Sequence, residues 1–164
     1  MSGGERVELR IIRLPHGADL PLPEYQSALA AGLDLLAAVP AEAPLEVAPG
    51  ARAAIPTGVA IALPAGNEAQ IRPRSGLALR HGITVLNSPG TIDCDYRGEV
   101  LVLLVNLGEA AVVIVRGQRI AQLVIQRCVR GRLIEADRVA STKRGGGGFG
   151  STGVSSKGRR RTLP

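Results

Sequence analysis

The chain has 164 residues, enough for one domain with a real core, and its 45% apolar residues against only 2% aromatics require that core to be aliphatic. Its net charge of +6 lies largely in the tail Lys157-Gly-Arg-Arg-Arg161, which reads either as a solvated basic tail or as a nonspecific contact for polyanions. The N-terminus lacks a signal-peptide core, no run approaches the ~18 apolar residues of a membrane span, and Cys94 and Cys128 show no zinc spacing, so a cytoplasmic protein with free thiols is expected.

With 21 glycines and 11 prolines the chain should be built from short strands and many turns. Residues 7–11 alternate apolar and polar, as a half-buried strand does, and residues 15–23 read as loop. Residues 28–38 fit either a short helix or a strand: Ala and Leu favour helix, Gly32 interrupts it, and Leu33, Leu35 and Ala37 share one strand face. Residues 52–63 read as a strand broken at Pro56-Thr-Gly58, and residues 69–72 as a short strand. The best helix runs over residues 75–81, with Ser75 as its cap and Gly82 as its end.

Further strands are expected over residues 83–86, 100–107, 111–115, 120–126 and 132–135. Leu107-Gly-Glu-Ala110 reads as a hairpin turn joining two of them, and Val115-Arg-Gly-Gln118 as a second turn. Turns every ten residues or so argue an all-β barrel or sandwich. Beyond residue 140 the glycine-rich texture reads as an arm with no packed element.

The stretch from Asn87 to Val100 gathers two carboxylates (Asp93, Asp95), Tyr96 and a turn signal at the mouth of an apolar strand. On a strand the two acids would face one side, where one could orient and deprotonate a water; otherwise they are turn acids in solvent. Arg74 and Ser75 stand at the start of the helix, where free N–H groups favour an anion, although Ser75 could simply cap. Asp34, between Leu33 and Leu35, is either a solvent-facing strand residue or a carboxylate near a metal. Gln122 is either the outward residue of its strand or a hydrogen-bonding group facing a ligand. The arm brings approachable N–H groups, Arg144, Ser151 and Thr152, and sets Phe149 alone among glycines, where a stacking lid is more use than a linker.

Five segments occur in a fixed order: Ala31-Gly-Leu-Asp-Leu35, Pro73-Arg-Ser-Gly-Leu-Ala78, Gly90-Thr-Ile-Asp-Cys-Asp-Tyr-Arg-Gly98, Arg116-Gly-Gln-Arg-Ile-Ala-Gln122, and Arg144 through Gly153. Together they resemble the five motifs of the homotrimeric dUTP pyrophosphatases (dUTPases). The resemblance implies an all-β, distorted jelly-roll or β-barrel with one short helix, assembled as a homotrimer whose three active sites each draw on all three chains. It divides the chain into a β domain (1–140), an active-site arm (141–154) and a basic, disordered tail (155–164).

The implied reaction is hydrolysis of dUTP to dUMP and pyrophosphate with Mg²⁺, with neither nucleic acid nor membrane as partner. Asp93 resembles the base that activates the attacking water, and Gln122 would hold the α-phosphate and that water. Asn87 would read the uracil edge, beside Thr91, while Tyr96 would pack on the deoxyribose and leave no room for a 2′-hydroxyl. Arg74, Ser75 and Gly76 would bind phosphate oxygens. Asp34 would face the water shell of a magnesium ion held mainly by the triphosphate. Phe149 would stack on the uracil, with Arg144, Gly150, Ser151 and Thr152 closing over the substrate and its β- and γ-phosphates.

Two small departures stand out. Lys143 precedes Arg144 where an acidic or polar residue is common, and Cys94 separates the two acids. A related deaminase of dCTP shares the implied fold but relies on a glutamate in the strand after the third segment, and residues 100–105 hold no acid. A non-catalytic nucleotide-binding protein would not need Asp93, Gln122 and Arg144 together.

Overall fold

The structure, a computed structural model, describes residues 6–148. Two units are recognised, Met1–Val129 and Arg130–Pro164. The first holds every strand among the described residues: β1 (Arg10–Arg13), β2 (Glu24–Tyr25), β3 (Leu33–Leu36), β4 (Leu45–Val47), β5 (Arg52–Ala62), β6 (Asn67–Arg72), β7 (Ile83–Val85), β8 (Gly90–Ile92), β9 (Glu99–Asn106), β10 (Val112–Ile114) and β11 (Arg119–Arg127). Helix α1 (Ser75–His81) and a 3₁₀ turn (Pro15–Gly17) complete it. No described helix is long and apolar enough to cross a membrane.

The strands form three antiparallel sheets, ordered β1-β5-β9-β7, β2-β3-β11-β6-β8, and β10-β4. This is a jelly-roll-like, all-β fold. One aliphatic core draws on all three sheets: Leu35 and Leu123, Ile55 and Val102, Val47 and Ile114 are each at most 2% exposed. Such branched side chains alternate inward along strands, which is how a chain almost without aromatics fills its interior.

Buried Asn106 ties the sheets at one end. Its Nδ2 donates to the carbonyls of Val47 (2.8 Å) and Ala110 (2.9 Å), and its Oδ1 accepts from the N–H of Gly108 (2.9 Å).

Several expectations change. Within 28–38, which could be helix, Leu33–Leu36 form strand β3 and the residues before them turn. Of residues 52–63, Arg52–Ala62 form one strand, with Pro56 inside it and a register shift between Pro56 and Ala60 where it pairs with β9. Leu107-Gly-Glu-Ala110 does not join a hairpin: β10 pairs with β4, while β9 pairs with β5 and β7. No strand forms over 132–135, and Leu133 (98%) and Ile134 (78%) are exposed there.

Helix α1 falls where expected and stops at Gly82, whose φ of 67° is the left-handed cap that glycine adopts without penalty. Its N-cap is Arg74, not Ser75, and no side chain caps it. Phe149, Gly150, Ser151, Thr152 and the tail 155–164 lie outside the described residues.

Candidate active site

The predicted site residues of the first unit fall in two clefts. The first, of about 280 Å³, is lined by Asn87, Thr91, Asp93 and Tyr96, with Ile71, Val100 and Leu101 as apolar wall and Glu99 at its edge. The second, of about 370 Å³, is lined by Asp34, Arg74, Ser75, Gly76, Arg80 and Gln122 together with Gly32. The two share no lining residue. A larger groove of about 950 Å³, which includes Tyr25, Gln126 and Arg127, holds none of the predicted site residues.

The first cleft is built on β8 and the turn after it. β8 pairs with β6 (Gly90 opposite Ile71, Thr91 opposite Gln70), and the chain then leaves the sheet. Asp93 and Asp95 therefore stand in a turn and not on a strand, so the strand argument for a shared face does not apply. Asp93, Thr91, Asn87 and Tyr96 are exposed. The turn is closed by the N–H of Tyr96 donating to the carbonyl of Asp93 at 3.1 Å. The Tyr96 hydroxyl donates to the carbonyl of Glu99 at 3.0 Å, so the ring is held at its far end too. Gly98 makes room for that ring: a Cβ there would lie 2.3 Å from the tyrosine oxygen. Asn87 packs its amide over Gly90, where a Cβ would come within 2.9 Å.

The second cleft is built where β3, β11 and β6 run side by side. Gln122 lies opposite both Asp34 and Arg72 in register, which puts these side chains on one face of the sheet. Asp34 is not a solvent-facing residue: it is 9% exposed, and its Oδ2 lies 3.3 Å from Arg74 and 3.4 Å from Arg119. Half-buried Gln122 donates to the carbonyl of Pro73 at 3.0 Å, tying β11 to the turn that opens α1. A Cβ at Gly32 would lie 2.6 Å from the Gln122 Oε1, so glycine there leaves the amide its space.

Arg80 is the charged lining residue that the sequence did not point to. It stands four residues after Gly76 on α1, a spacing that puts both on one helical face. Arg74 and Arg80 against the single carboxylate of Asp34 leave this cleft with an excess of positive charge, suited to an anion. Among the described residues no three His, Cys, Asp or Glu side chains gather as a metal cage. One carboxylate in a cationic cleft fits a hydrated divalent ion carried in by an anionic ligand better than an ion caged by protein.

Arg116, in the fourth segment, faces neither cleft. Its guanidinium grips both oxygens of Asp19 and donates to the carbonyls of Val39 (2.9 Å) and His16 (2.7 Å). The hydrogen bond from Arg116 holds the Asp19 carboxyl below its ordinary pKa, and Asp19 in turn raises that of Arg116.

In the second unit Arg144 is exposed and folds a small turn: its Nε donates to the carbonyl of Gly147 at 2.8 Å, and the Gly147 N–H returns to the Arg144 carbonyl at 3.0 Å.

The dUTPase family pattern matches residues 18–153. The chain belongs to the dUTPase family. Two relatives, both deoxyuridine 5′-triphosphate nucleotidohydrolases, support the assignment. The one from Sinorhizobium medicae is 60% identical over 148 residues, covering 90% of this chain and 92% of the relative. The one from Methylocella silvestris is 57% identical over 157 residues, covering 96% and 98%. Among solved structures, the Staphylococcus bacteriophage 80alpha dUTPase with dUPNHPP superposes with a TM-score of 0.80 at 25% identity, over 90% of this chain and 99% of that one.

Proposed function

We propose that this chain is a dUTP diphosphatase that hydrolyses dUTP to dUMP and pyrophosphate as a homotrimer. The observation that carries the reading is the division of the family's residues between two clefts with no common wall. One cleft has the apolar and amide groups a nucleoside needs; the other has the cations and donors a triphosphate needs. A single reaction requires both halves on one substrate. A trimer that sets the first cleft of one copy against the second cleft of another supplies them, with the arm arriving from the third.

In this reading Asp93 accepts a proton from the attacking water, which adds in line to the α-phosphorus as the bond to the bridging oxygen of pyrophosphate breaks. Gln122 orients the α-phosphate and the water. Arg74, Ser75 and Gly76 hold phosphate oxygens, and Arg80 adds charge. Asn87 and Thr91 face the base, and Tyr96 closes the space beside C2′ of the sugar. The arm brings Arg144, Phe149, Gly150, Ser151 and Thr152 over the substrate and excludes water. Phosphoryl transfer asks a protein chiefly for such positioning and charge neutralisation. Asp34 would face the water shell of a magnesium ion brought in with the triphosphate, which would neutralise phosphate charge. A cytoplasmic location fits a free nucleotide as substrate.

The deaminase alternative has one observation to answer. Glu99 is the first residue of β9, so an acid does open the strand after the third segment. Its Oε1, however, already accepts from the N–H groups of Thr57 (3.1 Å) and Gly58 (2.7 Å).

Pyrophosphate and ammonia release, measured with dUTP, dCTP, dTTP and UTP with and without Mg²⁺, tests the reading. Pyrophosphate from dUTP alone, stimulated by Mg²⁺, is expected. Ammonia from dCTP, or no pyrophosphate from dUTP, would overturn it.

A further inference from the structure

We propose that Glu99 is a positioning residue that fixes Tyr96 and thereby sets how strongly the site rejects a ribose. The inference rests on the proposed role of Tyr96 and adds to it the device that holds the tyrosine in place.

Between Pro56 and Ala60 the pairing of β5 with β9 shifts register, so the N–H groups of Thr57 and Gly58 find no strand carbonyl opposite. The carboxylate of Glu99 reaches across and takes both on Oε1, at 3.1 and 2.7 Å. The same oxygen lies 2.8 Å from Nε2 of His16, on the 3₁₀ turn. Next to it, buried Thr57 donates its hydroxyl to the carbonyl of Val100 at 2.6 Å. The first residue of β9 is thus clamped from two other elements.

The clamp reaches the site through one bond. The main-chain carbonyl of this same Glu99 accepts the Tyr96 hydroxyl at 3.0 Å. Tyr96 is otherwise 44% exposed, on a turn, and a surface tyrosine without a fixed anchor samples several rotamers. A gate against one hydroxyl group must be held to a fraction of an ångström, because small displacements of positioning groups change rates by large factors. Gly98 leaves only enough space for the ring in this pose.

The test is the ratio of kcat/KM for UTP to that for dUTP, measured with the full chain and Mg²⁺. Glu99→Ala is expected to raise this ratio on the order of 10-fold, and Glu99→Gln, which keeps the acceptor oxygen, to hold it within about threefold of wild type. Gly98→Ala, whose Cβ would push the ring while leaving the carboxylate clamp in place, is expected to raise the ratio even if Glu99→Ala does not fold.

A loss of overall activity at an unchanged ratio in both variants would overturn the proposal, since weaker folding lowers both substrates alike. Tyr96→Ala separates the two levels. If it raises the ratio while folded Glu99→Ala and Gly98→Ala do not, the positioning role falls and the gate stands. If Tyr96→Ala leaves the ratio unchanged, the gate falls and the inference with it.

Discussion

The backbone N–H of Tyr96 donates to the carbonyl of Asp93 at 3.1 Å, so the proposed sugar gate and the proposed base ride on one turn. Base and gate therefore move together. A nucleoside seated against Tyr96 is presented to Asp93 at a fixed place along its length, which is what in-line attack on one phosphorus of three requires. The turn stands at the end of β8, and β8 is locked in register on β6 through Ala69, Gln70 and Ile71.

Gly32→Ala should act through Gln122. The new Cβ would lie 2.6 Å from Oε1 and 3.1 Å from Cβ of Gln122, and the amide must swing away from the cleft. Turnover of dUTP should fall about 10- to 100-fold, a scale set by misplacing one positioning group. Circular dichroism and steady-state kinetics check this; a variant with wild-type turnover would show that the Gln122 pose is not needed.

Asp19→Asn should destabilise the protein at neutral pH and not in acid. Arg116 lowers the carboxyl pKa in the folded state, so the pair stabilises above the unfolded value, and that stability is lost as pH falls through the lowered one. Melting temperatures of wild type and variant should differ at pH 7, and the difference should shrink as pH falls below the ordinary aspartate value toward the lowered one. A constant difference across that range would mean the pair's charge is irrelevant.

A chain cut after Arg138 should still fold, because every described strand and the described helix lie within Met1–Val129. It should assemble as a trimer and lose most dUTP hydrolysis. Size-exclusion chromatography with pyrophosphate release distinguishes this from collapse of the fold, which would make the arm a structural element.

Much of this was legible in the residues. The helix announced itself by good formers ended at Gly82, and the aliphatic runs of β9 and β11 by composition. Pairing was not legible. The turn at 107–110 says that the chain reverses, but β10 finds its partner in β4, more than sixty residues earlier in the chain. Short strands such as β2, β4 and β8, of two or three residues, carry too few side chains to show a period.

In the site, Asp93 and Gln122 could be read from their motifs, and Arg80 could have been added from its four-residue spacing to Gly76. The clamp on Glu99 could not, since Gly58 and His16 lie 41 and 83 residues away and meet it only because β5 slips register there. Asp34 was half legible. An acid between two leucines looks either outward or toward a metal, and Arg74 and Arg119 draw it inward, which removes only the outward reading.

Asp93 is proposed to activate water at a dUTP-hydrolysing site. Single-turnover pyrophosphate release from dUTP, with nucleotide binding measured in parallel, tests it most directly in Asp93→Asn. Binding close to wild type and release slowed by on the order of 10²–10⁴ are expected. Release at the wild-type rate would contradict it and place the base elsewhere.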